Sequence, residues 1–246
     1  VEWKKDADKM SKVILVTGAS RGLGEAIAKK FLDNKNIVYI NYNKTSLKEL
    51  EEKYHEYKNA RFIKCDVSNE EEIKNMMSKI KEEEGHLDVL VNNAGIAMDS
   101  ELKDKTKDNF QKILEVNLIG PFLTSKYVLD IMDKGSIINI SSTNGLDTYY
   151  SYSLDYDASK AGLINLTHNF ASMYAPNIRV NCIAPGWINT EMNKELDKEY
   201  IKEECEHILL ERFAEPKEIA NVVFFLASDE ASYITDTIIR VDGGLK

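Results

Sequence analysis

The sequence predicts an α/β fold in a single domain: a doubly wound, seven-stranded parallel sheet with helices on both faces. Three observations lead there. Short apolar runs rich in Val and Ile alternate, from Val13 to the end of the chain, with longer segments whose apolar residues recur at helical spacing. The first such run turns through glycines into the first helix. The chain also shows no internal repeat, no low-complexity linker and only four prolines, so nothing marks a boundary between two domains. Strands that alternate with helices call for right-handed crossovers and a sheet covered on both faces.

The elements follow in order. Val13-Ile14-Leu15-Val16 is a buried strand, and Leu23, Ile27, Phe31 and Leu32 form the apolar side of the helix after it. Ile37 to Ile40 is the second strand, ending at Asn41-Tyr42-Asn43-Lys44. Ser46 to Glu49 has the spacing of a capping box, and Leu47, Leu50, Tyr54 and Tyr57 line the next helix. Arg61 to Cys65 is the third strand. Ser68 to Glu71 reads as another capping box, before a Lys/Glu-covered helix whose core side is Ile73, Met76, Met77 and Ile80. Leu87 to Val91 is the fourth strand, running into Asn92-Asn93-Ala94-Gly95. One long helix is expected from about Asp108 to Met132, bent at Pro121. Ser136 to Ile140 is the fifth strand, and a helix from about Ala158 to Tyr174 leads to the sixth, Ile178 to Ile183. Thr237 to Val241 is the seventh. Ligands of such sheets gather at the carboxyl ends of the strands, so Gly18, Asn41, Asp66, Asn93, Ser142 and Pro185 are expected to converge on one crevice.

Composition narrows the function classes. A length of 246 residues, 43% apolar and 30% charged, is globular usage. A net charge of −9 argues against a broad phosphate-neutralising face for nucleic acid. Cys65, Cys182 and Cys205 are an odd number at wide spacing, with no metal-ligand pattern, so reduced thiols and a cytoplasmic setting are expected. No apolar run approaches the roughly 20 residues of a membrane span. Residues 1–10 carry no signal-peptide core and are expected to be an extension or a cloning remnant, disordered, with the catalytic domain over 11–246.

Two stretches carry chemistry. Gly18, Gly22 and Gly24 lack a Cβ, which permits positive φ and lets phosphates approach the backbone, while the helix start offers free N–H groups and a positive dipole end. The spacing Thr-Gly-x-x-x-Gly-x-Gly is neither a Walker loop nor Gly-x-Gly-x-x-Gly. It reads as an anion cradle or as a plain strand-to-helix turn. Tyr156-Asp157-Ala158-Ser159-Lys160 places a phenol and an ammonium on one helix face, where the cation is expected to lower the phenol toward neutrality. The spacing alone also reads as a surface pair; in a site, Ser142 at the end of the fifth strand could hydrogen-bond the same substrate oxygen, and Asn117 could hold a water that relays protons to Lys160.

These stretches, with Asn92 to Gly95, Asp66 and Pro185-Gly186-Trp187-Ile188-Asn189-Thr190, resemble the short-chain dehydrogenase/reductase family in the family's own order, from about Ser11 to Lys246. The resemblance implies a Rossmann fold and a catalytic tetrad of Asn117, Ser142, Tyr156 and Lys160. Tyr156 would donate the proton, Ser142 would polarise the carbonyl, and Lys160 would bind the nicotinamide ribose and tune Tyr156. It implies a cofactor site made of Gly18, Ser20, Arg21, Gly22, Leu23 and Gly24 at the phosphates, Asn41 near them, Asp66 and Val67 at the adenine, and Asn93, Ala94 and Gly95 near the ribose. Tyr156 and Lys160 also belong to it, with Pro185, Gly186, Ile188 and Thr190 toward the carboxamide. No metal is implied, and a homotetramer is.

Within the family, Thr-Gly-Ala-Ser-Arg-Gly, Asn-Ile-Arg-Val-Asn and Val-Asp-Gly-Gly are most similar to the 3-oxoacyl-[acyl-carrier-protein] reductases of fatty acid biosynthesis. The implied reaction is NADPH-dependent reduction of a 3-oxoacyl thioester. A sugar or polyol dehydrogenase and a non-catalytic dinucleotide sensor are the alternatives. Acyl carrier protein stays an open partner, since an acidic carrier should dock on cations and no Lys or Arg follows Lys160 before Arg179. The Tyr-rich stretch Asp147 to Asp155 is one residue longer than the family leads one to expect, and Asp236 stands where the resemblance leads one to expect Gly after Thr. Asn193 to Arg212 reads equally as a movable lid and as a solvated helix. NADP(H) is favoured over NAD because Asn41-Tyr42-Asn43-Lys44 offers no carboxylate to a ribose 2′-hydroxyl, while Arg21, Asn41 and Lys44 can meet a 2′-phosphate.

Overall fold

A computed structural model describes residues 11–193 and 196–246; the expectation for residues 1–10 falls outside them, as do two residues of the stretch from Asn193 to Arg212. Seven parallel strands lie in the order β3-β2-β1-β4-β5-β6-β7. They are β1 (Val13–Val16), β2 (Ile37–Tyr42), β3 (Ala60–Lys64), β4 (Val89–Asn92), β5 (Gly135–Ile140), β6 (Ile178–Pro185) and β7 (Ile238–Val241). The helices between them are α1 (Gly22–Asp33), α2 (Leu47–Lys53), α3 (Glu70–Glu84), α4 (Lys107–Leu114), α5 (Gly120–Tyr127), α6 (Leu154–Tyr174), α7 (Lys198–Glu206) and α8 (Pro216–Ala227).

Period-2 alternation in β1 assigns the two faces. Ile14 and Val16 join Ile27 and Phe31 of α1 and Val223 and Leu226 of α8 in one core, where the Phe31 and Phe224 rings meet at 5.3 Å. Val13 and Leu15 join Ile73, Met76, Met77 and Ile80 of α3 and Phe170 of α6 in the other. Each such buried side chain contributes about 1.5–3 kcal/mol. Loss of either face therefore exposes the strand that ends at the glycine loop.

Three local expectations are corrected. The cap of α3 is Asn69, whose Oδ1 accepts from Glu71 N and Glu72 N, because the chain at Ser68 is taken up in a turn on Asp66. Ser46 does cap α2, accepting from Glu49 N at 3.2 Å. The single helix from Asp108 to Met132 is instead α4, a π segment (Glu115–Ile119), α5 and a 3-10 turn (Val128–Asp130). Pro121 has no N–H to return to the Asn117 carbonyl, and the ladder widens ahead of it, with Gly120 N bonded to Glu115 O. The third correction is α6, which begins at Leu154 and not near Ala158, so Tyr156 lies in its first turn. Among the described residues no helix is long and apolar enough to cross a membrane.

A buried polar chain sets the height of α5 and α6 against the strands. Thr124 Oγ1 donates to Asn92 Oδ1 at 2.6 Å, Asn92 Nδ2 donates to Asn139 Oδ1 at 2.9 Å, and Asn139 Nδ2 donates to Thr167 Oγ1 at 2.9 Å. Satisfied side-chain chains of this kind specify one packing.

Candidate active site

The loop from β1 to α1 is held by its neighbours' backbones. Thr17 Oγ1 accepts from Asn93 N and Ala94 N, both at 3.0 Å, and Asn93 Nδ2 donates to Thr17 O at 2.9 Å and Gly18 O at 3.1 Å. Gly18 has φ +63°, and a Cβ there would stand 2.8 Å from Ala94 Cα. A Cβ on Gly24 would meet Gly18 O and stand 2.5 Å from Asn93 Nδ2. The space in front of the loop is thus defined by atoms that glycine lacks. Arg21 is exposed and extended at the helix start, where no side chain caps the N–H groups, and Gly22 faces Thr190 across the opening. Ser20 and Leu23 border it, the Ser20 carbonyl accepting from Lys53 Nζ at 2.8 Å. This uncapped N-terminus behind a glycine cradle fits a dinucleotide's pyrophosphate.

Asn41 does not reach out from the end of β2, as its expected place at a 2′-phosphate requires. Its buried Oδ1 accepts from Gly18 N at 3.0 Å and its Nδ2 donates to Cys65 O at 3.0 Å, so it shapes the loop from behind. The exposed groups at that end are Asn43 and Lys44. Asn43 Nδ2 donates to Asp66 Oδ2 at 2.8 Å. Burial works to raise the Asp66 carboxyl, but bonds from Ser68 and Asn43 outweigh it and hold the group below the ordinary carboxylate range. Val67 follows, buried against Gly120.

Across the crevice, β5 ends at Ser141-Ser142 and α6 presents Tyr156 and Lys160. Ser142 lies beside the Tyr156 hydroxyl, and its Oγ accepts from Asn144 N at 3.2 Å. The Lys160 ammonium lies 5.4 Å from the Tyr156 ring centroid and donates to Ile140 O at 2.9 Å. Burial lowers it to about 8. Burial likewise pushes the Tyr156 phenol up to about 12, the Ser142 hydroxyl opposing and Asp157 and Asp99 adding to the rise. The expectation that Lys160 lowers the phenol is therefore reversed in the chain alone: desolvation dominates, and the ammonium sits over the ring and bonds a backbone carbonyl. Asn117, inside the π segment, is fully buried; its Oδ1 accepts from Ile96 N at 2.8 Å and its Nδ2 donates to Ser159 Oγ at 3.1 Å. Asn117 Oδ1 and Lys160 Nζ both flank Gly95, each 3.5 Å from where a Cβ would be.

The chain after β6 closes the same opening. Gly186 N donates to Val241 O at 3.2 Å, Ile188 pairs with Ala214, and Thr190 N donates to Ile188 O at 2.9 Å. Pro185 ends the strand, buried. Trp187 stacks on Phe213 at 5.3 Å and donates to Glu204 of α7 at 2.8 Å. Asp236 holds φ +58°, in the left-handed region that favours glycine and that Asp tolerates better than most residues. Two ion pairs at this site leave no sequence signal, since their members lie far apart: Arg240 binds both oxygens of Asp147 at 2.7 and 2.8 Å, and Lys105 binds Asp155 at 2.6 Å.

This arrangement has counterparts among known proteins. A family model described as enoyl-(acyl carrier protein) reductase matches residues 18–246. The chain is 37% identical over 246 residues to the 3-oxoacyl-[acyl-carrier-protein] reductase FabG of Thermotoga maritima, covering 95% of this chain and 97% of the relative. It is 32% identical over 240 residues to MabA of Mycobacterium bovis, a 3-oxoacyl-[acyl-carrier-protein] reductase, covering 96% and 93%. Among solved structures, a double mutant of a Serratia marcescens short-chain dehydrogenase/reductase superposes with TM-score 0.89 at 30% identity, covering 95% of this chain and 97% of that one. ElxO with NADP bound gives 0.88 at 33% identity, covering 96% and 98%. With the strand order, the glycine loop and the grouping of Ser142, Tyr156 and Lys160, these matches show that the chain is an oxidoreductase of the short-chain dehydrogenase/reductase family, whose members bind a nicotinamide dinucleotide and act on CH–OH and C=O groups.

Proposed function

We propose that this protein reduces a carbonyl to an alcohol with NADPH, and that the carbonyl is a 3-oxoacyl thioester. The observation that carries the reading is the Tyr156 hydroxyl, protonated at neutral pH and set beside Ser142 at the carboxyl ends of the strands. A substrate oxygen placed between these two hydroxyls accepts a bond from Ser142 and takes its proton from Tyr156 Oη. NADPH supplies the hydride when bound. Lys160, positively charged below about pH 8, favours the phenolate left behind and is placed to hold the nicotinamide ribose beside Gly95. Asn117 anchors the chain at Ile96 and reaches Ser159, which keeps Tyr156 and Lys160 on the face that looks into the crevice.

NADPH is favoured over NADH because the end of β2 carries no carboxylate of its own, and the neighbouring Asp66 is tied to Asn43 and Ser68, while Arg21 and Lys44 are exposed beside the loop. A charge-assisted bond contributes about 1.5–3 kcal/mol, at least about a tenfold preference. We assign Ser20 to Gly24 to the phosphates, Asp66 and Val67 to the adenine, Asn93 to Gly95 to the ribose, and Pro185, Gly186, Ile188 and Thr190 to the carboxamide. The reading includes a cytoplasmic setting and a homotetramer built through the long helices around Asn117 and Tyr156 and through the carboxyl-terminal strand; the exposed Ile119 and Phe122 support the helical part of that interface. The thioester reading draws on the curated relatives. It is tested by kcat/KM for 3-oxoacyl thioesters against sugar and polyol partners, with NADPH and NADH in parallel. Thioester activity with at least a tenfold NADPH preference, reduced about tenfold by Arg21→Ala, is expected; preference for polyols or for NADH refutes the corresponding half.

A further inference from the structure

The entry to α6 holds a buried ion pair that the chemistry above does not use. Asp155 directly precedes Tyr156; its side chain is fully buried, and that of Lys105 is 5% exposed. A single oxygen, Asp155 Oδ1, accepts from both the Lys105 ammonium at 2.6 Å and the Tyr156 backbone N–H at 3.0 Å. Lys105 Nζ also donates to Met98 O at 2.7 Å, and Ser100 N donates to Tyr152 O at 3.1 Å. The chain after β4 is thereby fastened to the first turn of α6. That turn has no side-chain cap: the Ser153 hydroxyl is turned to Asp157 Oδ1 and Tyr150 O.

Stability does not account for this pair. Desolvating two charges offsets most or all of their attraction, and such pairs are commonly replaced by apolar residues of similar volume without loss. Here the satisfaction is also incomplete, since Asp155 Oδ2 and Ser100 Oγ lack hydrogen-bond partners among the described residues. What the pair does fix is direction. The acceptor that receives the Tyr156 amide is itself immobilised by a cation from another element, so the first turn of α6 cannot rotate without breaking a buried charge contact.

We propose that Lys105 and Asp155 are positioning residues for Tyr156, holding the first turn of α6 in the orientation that brings the Tyr156 hydroxyl onto Ser142 and the substrate oxygen. The inference rests on Tyr156 as the proton donor, and it acts through Tyr156 alone. A misplacement of about 1 Å costs on the order of 100-fold in rate. Replacing the pair by apolar residues in the full chain, Lys105→Met with Asp155→Leu, separates position from stability. The expected result is a melting temperature at or above that of the wild type, an NADPH Kd within twofold by cofactor fluorescence, an unchanged KM, and kcat at least tenfold lower at 25 °C. A kcat within threefold of the wild type, or one lost only together with the melting temperature, overturns the proposal. Asp155→Asn keeps the volume and the acceptor for the Tyr156 amide while removing one charge; should the double variant not fold, kcat in Asp155→Asn decides, and an unchanged value refutes. Tyr156→Phe run alongside keeps the two readings apart. If it remains active the donor assignment falls, and if it is inactive while the apolar double variant turns over normally, only the positioning role falls.

Discussion

The two rims of the crevice are built by different means. On the rim formed by β1, β2 and β4, the contacts run through backbone atoms and the absence of Cβ: Gly18 against Ala94, Gly24 against Gly18 O, Asn93 and Thr17 bonded to main-chain groups. On the rim from β5 to β7 the contacts are between side chains. Asp147 pairs with Arg240, Asp157 Oδ1 accepts from Asn144 Nδ2 at 2.8 Å, and the Tyr150 and Tyr152 rings meet at 5.4 Å. A backbone cradle offers few substitutions that leave it intact. A side-chain rim is remodelled by single replacements, so the first rim suits an invariant cofactor and the second a variable substrate.

The sharpest break between the rims is Tyr156→Phe. It keeps the ring and removes the proton, and kcat is expected to fall at least about 100-fold while NADPH binding, measured by fluorescence titration, stays within twofold. Normal turnover in this variant contradicts the assignment of chemistry to the second rim. Gly24→Ala acts on the other side. Its methyl has no room beside Asn93 Nδ2, and overpacking of this kind costs about 1–3 kcal/mol. The NADPH Kd is expected to rise about tenfold with little change in kcat at saturation, and a Kd equal to wild type shows that the cradle is not the cofactor's seat.

The smallest effect follows from Lys160. Its folded pKa, about 8, is below the ordinary 10.5, so the charged form that the mechanism uses declines as pH rises through about 8, and kcat/KM for reduction is expected to fall several-fold between pH 7 and 9. The sign for stability is opposite. Between about pH 8 and 10.5 the unfolded chain binds more protons than the folded one, so the protein gains stability across that window. Lys160→Met is expected to remove this dependence and to melt higher at pH 7, which a calorimetric pH series checks.

The alternation of buried runs and amphipathic helices is sufficient to read the sheet, because the central strands are buried on both faces and helices such as α1 and α3 declare their inner side. Val13 to Val16 and the α3 face of Ile73, Met76, Met77 and Ile80 are examples. The glycine loop and the Tyr156–Lys160 spacing are legible for the same reason, being local. Nonlocal facts are not. Asn41 reads as a ligand in the sequence because its burial depends on Gly18 and Cys65. The phenol's direction escapes the sequence because desolvation belongs to the folded site, and the Lys105–Asp155 pair joins residues separated by 50 positions. The π segment is hidden because Pro121 announces a bend without saying whether the ladder breaks, kinks or widens.

That widened ladder makes the register of the chain there a countable quantity. A π segment holds one residue more than the α-helical path between the same two ends, and each residue of an α-helix turns the chain by about 100°. Deleting one position between Leu114 and Gly120 would let α4 run straight into α5. Because the shorter path joins the same two ends, α4 and α5 would keep their places, and the change in direction would fall on the residues inside the segment. Asn117, in the middle of that segment, could not then keep both Ile96 and Ser159, even with Leu123 still under the sheet. Length in this stretch is therefore as constrained as residue identity, and a single-residue gap there is a heavier lesion than most substitutions.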